Sequence, residues 1–166
     1  MKTTTPRHAL YLFILLSCCL NAAFLHADAP KQDEIQLSLS SEWGKPAYCQ
    51  YAAINKASEW RYVRKYATLI VTKTECAQCK PVSQQDVDAY NTPEALETKA
   101  IMISHKGVPA MLRFHASPKG VNLRTFQMVA GGVHYELQLG IDRSAPHDIA
   151  FGLELEFVET INRFQP

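Results

Sequence analysis

Four strand-like runs, residues 100–105, 110–116, 123–130 and 133–141, follow one another with only short breaks between them. Gly107, the segment Ser117-Pro118-Lys119-Gly120 and the pair Gly131-Gly132 supply those breaks. The two runs flanking Gly131-Gly132 alternate apolar and polar residues, and a period of two is the mark of a half-buried strand. Gly131-Gly132 is the sharpest signal of the set, because a tight reversal between strands needs positive φ. Such a succession points to a sheet that folds back and forth on itself.

The residues upstream add strands and two helices. Ile35, Leu37 and Leu39 alternate with Gln36, Ser38 and Ser40, which predicts a first strand ended by Glu42-Trp43-Gly44-Lys45-Pro46. Residues 47–66 contain neither Gly nor Pro and fit a helix or a strand pair around Asn55-Lys56-Ala57-Ser58. Trp60, Tyr62, Arg64 and Tyr66, three of them aromatic, stand at every second position and favour strands. Thr68-Leu69-Ile70-Val71-Thr72 is β-branched and apolar, the strongest strand in the chain. A short helix is predicted from Ser83 or Gln84 through Val87 and Tyr90, with Ser83 as N-cap and Asp86 three residues on. A second helical turn is predicted from Thr92, with Pro93 at its first position and Glu94 and Glu97 following. After Pro146, the residues Ile149, Leu153, Phe157 and Ile161 recur four apart as one stripe of a closing helix, with Glu154, Glu156 and Glu159 as its solvated side. The fold class expected is α+β, a mostly antiparallel sheet with helices packed on it.

The first 27 residues read differently. Lys2, Arg7 and His8 make a basic start, residues 9–20 are apolar except for Ser17, and residues 22–27 supply small side chains for a peptidase. Twelve apolar residues fall short of the roughly 20 that span a bilayer, so a secretory signal cut after Ala27 is expected. A rival exists in Leu15-Leu16-Ser17-Cys18, which resembles a bacterial lipobox with Cys18 as the lipidation candidate. The apolar run continuing to Leu25 favours the soluble, periplasmic form over the lipoprotein. Residues 28–34 are polar and are expected to form a flexible leader to a single domain over residues 35–166. Of the 17 Lys and Arg, Lys2 and Arg7 leave with the signal while all 16 acidic residues stay, for a net charge of −1. A chain so nearly neutral has no long-range attraction for nucleic acid or anionic lipid.

The order of these elements resembles the fold shared by the photosystem extrinsic protein PsbP, the Ran-binding Mog proteins and the bacterial envelope lipoprotein DcrB. The resemblance rests on Ile35-Gln36-Leu37-Ser38-Leu39-Ser40-Ser41-Glu42-Trp43-Gly44 as an early strand and turn. It continues with Thr68-Leu69-Ile70-Val71 leading to Asp86-Val87-Asp88-Ala89-Tyr90, and with Gly131-Gly132-Val133-His134-Tyr135-Glu136-Leu137-Gln138-Leu139 as the late hairpin. It closes on Phe157-Val158-Glu159-Thr160-Ile161-Asn162-Arg163-Phe164. It covers nearly the whole mature domain through the order of elements and not through any rare residue. What it implies is a non-catalytic module that binds a protein partner or serves an accessory role.

Cys76-Ala77-Gln78-Cys79 is the one motif with chemistry of its own, and it departs from that family. Cys49, Cys76 and Cys79 remain after signal removal, and in an oxidising compartment two of the three are expected to pair. The bridge is either within the short loop or from Cys49 to one of the others. The alternative to a structural bridge is a thiol-disulfide oxidoreductase, with Cys76 activated by a helix N-terminus and Cys79 resolving. Gly107-Val108-Pro109-Ala110 resembles the thioredoxin loop that presents a cis-proline, but Glu75 stands where that family has Trp.

A zinc site needs about four N or S ligands, and no second Cys-x-x-Cys or His-x3-His accompanies this one; haem attachment wants His where Lys80 stands. No metal or cofactor is therefore expected. His105, His115, His134 and His147 are scattered, and pairing of one with a cysteine, oriented by Asp142 or Asp148, is weaker than solvent-facing or satisfied histidines. Trp60, Tyr62 and Tyr66 are the candidate partner-binding surface. The function expected is an exported, non-catalytic binding or accessory protein of the bacterial cell envelope, acting on a protein partner as an accessory factor or an immunity protein does.

Overall fold

The computed structural model of the chain describes residues 35, 37–93, 97–116 and 120–166. The expected signal and leader, the lipidation candidate Cys18, residues 94–96 of the second helical turn and residues 117–119 of a strand connection lie outside the described residues.

Two antiparallel meanders build one sheet. The first is β1 (Tyr48–Ala52), β2 (Ala57–Arg64) and β3 (Ala67–Glu75). The second is β4 (Thr98–His105), β5 (Val108–His115), β6 (Val121–Ala130) and β7 (Val133–Asp142). β7 docks antiparallel on β3, giving the seven-stranded order β1-β2-β3-β7-β6-β5-β4. The two central strands alternate most strictly. Ala67, Leu69 and Val71 of β3 share one face with Tyr135, Leu137, Leu139 and Ile141 of β7, and all are buried. The register sets Leu69 opposite Leu139 and Val71 opposite Leu137. A slip of one residue would turn this whole set to the other face, so the pattern fixes the register. Gly131 and Gly132, at φ 58° and 76°, make the β6–β7 reversal.

The closing helix, labelled α2 (His147–Arg163), covers the apolar face with Leu153, Phe157 and Ile161, and Phe164 follows into the core just past its end. Two details differ from the sequence reading. Ile149 is exposed, and Thr160 is buried alongside the inward stripe instead. Glu154 and Glu156 are only partly solvated: each flanks the buried stripe and reaches an arginine at its margin. Glu154 pairs with Arg124, while Glu156 accepts from Arg64 Nη1 at 2.7 Å and from Trp43 Nε1 at 3.2 Å. Glu159 is exposed, with Arg163 3.4 Å away one turn on.

The first predicted strand is corrected. Ile35, Leu37 and Leu39 do pack on the core, but none of the described residues there joins the sheet. The Leu37 N–H bonds locally to the Ile35 carbonyl (2.9 Å), and a 3-10 turn at Ser41–Trp43 follows.

The connection from β3 to β4 must carry the chain from the middle of the sheet to its far edge, and it does so across the opposite face. Its helix, labelled α1 (Gln84–Tyr90), opens on a reciprocal cap: Ser83 Oγ accepts from the Asp86 N–H, and Asp86 Oδ2 accepts from the Ser83 N–H at 2.8 Å. The Ser83 hydroxyl and then its N–H hold the Asp86 carboxyl below the usual carboxylate range. Val87 packs on Ala100 and Met111. The Asn91 side chain bonds both backbone groups of Ala100, at 2.7 and 2.8 Å, tying α1 to β4 and occupying hydrogen-bonding groups of that edge. Thr92 and Pro93 continue without helix. Among the described residues no helix is long and apolar enough to cross a membrane.

Candidate binding face

α1 covers the second face of the sheet only where β4 and β5 lie, so the part made by β2, β3, β6 and β7 stays open. Two depressions mark this face. The first, about 370 Å³, is walled by Val63, Ile70, Val121 and Leu123 and rimmed by Tyr66, Gln138 and Asp142. Gly140 lies at its floor: a Cβ added there would come within 3.0 Å of Val121 Cγ1. Glycine inside a strand weakens it and often marks a close approach from outside, and here it deepens the hollow. Tyr66, in the β2–β3 turn, sits at φ 68°, a conformation that strains a bulky side chain by about 1–3 kcal/mol. The Asp142 N–H bonding to the Tyr66 carbonyl (2.8 Å) helps hold it there. The backbone N–H of Ser144, followed by its side chain, keeps the Asp142 carboxyl below its ordinary range.

The second depression, about 380 Å³, runs between α1 and the sheet and is lined by Cys79, Lys80, Tyr90, Met111, Val129 and His134. Between the two hollows lies a polar band. The Arg113 guanidinium stacks 4.6 Å from the Tyr90 ring centre and 3.8 Å from Glu136, which also accepts from Gln127. Arg113 Nε is buried without a partner among the described residues.

The bridge joins Cys76 to Cys79, with Cα atoms 5.3 Å apart. The Cys79 N–H bonds to the Cys76 carbonyl (3.1 Å), closing a tight turn, and the Cys76 N–H bonds to the Gly132 carbonyl (2.8 Å), seating it on the β6–β7 hairpin. A link from Cys49 to either is thereby corrected: Cys49 is exposed on β1, an edge strand, while the pair closes beyond the end of central β3. α1 begins at Gln84, beyond Lys80-Pro81-Val82-Ser83, and its first turn is occupied by Asp86, so among the described residues no helix N-terminus faces Cys76. Pro109 is trans and pairs with Ser104 in the β4–β5 hairpin.

The histidines do not converge. His105 is buried with Nε2 3.1 Å from the Phe164 carbonyl oxygen, His115 Nδ1 lies 2.9 Å from Thr98 Oγ1, and His147 is exposed at the start of α2. His134 shares a groove with Cys79, whose sulfur is in the bridge. Asp142 and Asp148 are both exposed, Asp142 at the end of β7 and Asp148 on α2. Among the described residues no group of three or more His, Cys, Asp or Glu is placed to hold a metal.

Of the three aromatics expected to form a partner surface, Trp60 and Tyr62 are 4 % and 9 % exposed and belong to the core. Their side of β2 is the side under α2. Tyr66 escapes because it sits in the turn after β2, and it rims the first hollow. Ile70, Leu123 and Gly140 were not singled out from sequence, although a glycine within an alternating strand was the available signal. No family model, characterised protein or solved structure matches the chain. The chemistry of the face is therefore read from its own residues.

Proposed function

We propose that this protein is an exported, non-catalytic binding module of the bacterial cell envelope that meets a protein partner through the open face of its sheet. The observation that carries this is the composition of that face. A sheet surface left to water normally presents polar side chains, yet Val63, Ile70, Val121 and Leu123 here wall a hollow over Gly140. Its Tyr66, Gln138 and Asp142 rim suits an apolar side chain flanked by hydrogen-bond donors. The signal-like first 27 residues support export.

Capture from envelope extract on the immobilised mature protein, followed by titration of the purified partner, tests it. Ile70→Glu and Leu123→Glu are expected to weaken binding by about thirtyfold or more, as loss of a central contact does. Gln85→Glu, on the exposed side of α1, should leave it unchanged. Turnover of a small substrate by the purified protein, abolished by one polar substitution, would sink the reading.

A second reading, thiol-disulfide exchange with Cys76 attacking and Cys79 resolving, is favoured by one observation: Cys79 opens onto the groove with Lys80 and His134. The two readings differ in measurable ways. For a structural bridge, Cys76→Ser with Cys79→Ser should lower stability by less than about 3 kcal/mol in chemical denaturation, since so short a loop removes little chain entropy. Its reduction potential should lie below about −300 mV. A higher potential together with insulin reduction would favour the exchange reading.

A further inference from the structure

A helix that covers a sheet should be polar on its outer side, but α2 carries an apolar stripe there among the polar Asp148, Glu159 and Asn162. Phe151, Leu155 and Val158, at i, i+4 and i+7, are 56 %, 51 % and 46 % exposed. They lie across the helix from Leu153, Phe157 and Ile161, which pack on the sheet. Beside them is Gly152, where an added Cβ would meet nothing within 4 Å among the described residues. Packing within the molecule does not call for glycine there, and glycine disfavours a helix interior relative to alanine. A neighbouring backbone approaching from outside would call for it.

We propose that α2 packs antiparallel on the α2 of a second copy of this chain, in a two-fold dimer centred near Leu155. The charges of the helix select this occupant. Asp148 in the first turn and Arg163 in the last lie on the same flank of the stripe. In an antiparallel pair related by a two-fold axis each flank meets itself, so Asp148 of one copy faces Arg163 of the other at both ends. Glu159, on that flank too, falls opposite Gly152 and not opposite another acid. A lipid surface is the poorer occupant: helices that lie on membranes carry Lys and Arg along their polar face, whereas α2 carries Asp148, Glu154, Glu156 and Glu159 against a single Arg163. The dimer uses α2 and leaves the open face of the sheet free, so it stands or falls separately from the binding reading.

Sedimentation of the mature protein tests it. The unsubstituted protein is expected to be a dimer whose thermal midpoint rises with protein concentration, and Leu155→Glu a monomer with unchanged circular dichroism and a midpoint independent of concentration. Asp148→Arg should weaken association by about tenfold, and adding Arg163→Asp should restore it. Gly152→Ala should raise the thermal midpoint of the Leu155→Glu monomer while weakening the dimer of the otherwise unsubstituted protein. A monomer at the highest soluble concentration, with or without adherence to anionic phospholipid vesicles, overturns the proposal. So does a dimer indifferent to Leu155→Glu, or a double charge reversal that fails to restore association.

Discussion

Phe164→Ala is expected to lower the free energy of unfolding by about 3–5 kcal/mol, the range for truncating a buried aromatic, although only two residues follow it in the sequence. The side chain is fully buried, with the rings of Tyr135, His105 and Phe126 at 5.4, 6.1 and 6.2 Å. Its backbone is held as firmly. The Phe164 N–H bonds to the Thr160 and Ile161 carbonyls, and its own carbonyl accepts from His105 Nε2 and from Lys106 Nζ at 2.7 Å. Those main-chain bonds fix the end of α2 against the β4–β5 turn, so the surroundings cannot collapse freely into the space an alanine leaves. The cavity term should then persist, which places the effect at the upper part of the range. Urea unfolding should show a lower midpoint with an unchanged slope. A loss below about 1 kcal/mol would mean that the site closes up after all.

Much of this fold was written in the periodicity. β7 alternates along its whole length, β3 and β6 over part of theirs, and the glycine pair between β6 and β7 announces its own reversal. Ser83 and Asp86 announce the start of α1. Alternation has two blind spots, however. It says that one side of a strand is buried without saying which, so Trp60 and Tyr62 could be mistaken for surface while Ile70 and Leu123 passed unnoticed on the open side. It also says nothing of backbone pairing. Ile35, Leu37 and Leu39 point apolar groups at the core, although none of the described residues of that segment enters the ladder.

Contacts between distant parts of the chain were beyond the same signals. Nothing local tells β3 to accept β7 as its neighbour instead of β4, because that choice is made by matching two apolar faces across some sixty residues. Glu154 and Glu156 carry no mark that distinguishes a solvated acid from one reaching Arg124 or Arg64. The cysteines behave likewise. Three candidates left the pairing open until Cys49 was placed on the edge strand, away from the turn that Cys76 and Cys79 close.

The second large effect is expected at Trp43, where those long-range contacts concentrate. Trp43→Ala should also cost about 3–5 kcal/mol, for a reason distinct from that at Phe164. The indole is 5 % exposed, and it closes the 3-10 turn that seats Leu37 and Leu39 on the core. Its Nε1 donates to Glu156, and Arg64, 5.3 Å above the ring, bonds to Glu156 and to Glu42. Two contributions are therefore mixed in one residue, an apolar body and one polar atom. Trp43→Phe separates them. It keeps most of the ring and loses the N–H, while Glu156 retains Arg64, so it should cost only about 1 kcal/mol. Glu156→Ala should cost a similar amount, because Arg64 keeps Glu42 and remains partly in water. A double-mutant cycle between Trp43→Phe and Glu156→Ala should then return a coupling of about 1 kcal/mol or less. Were Trp43→Phe to destabilise as much as Trp43→Ala, the polar network, and not burial of the indole, would be what holds this segment to the sheet.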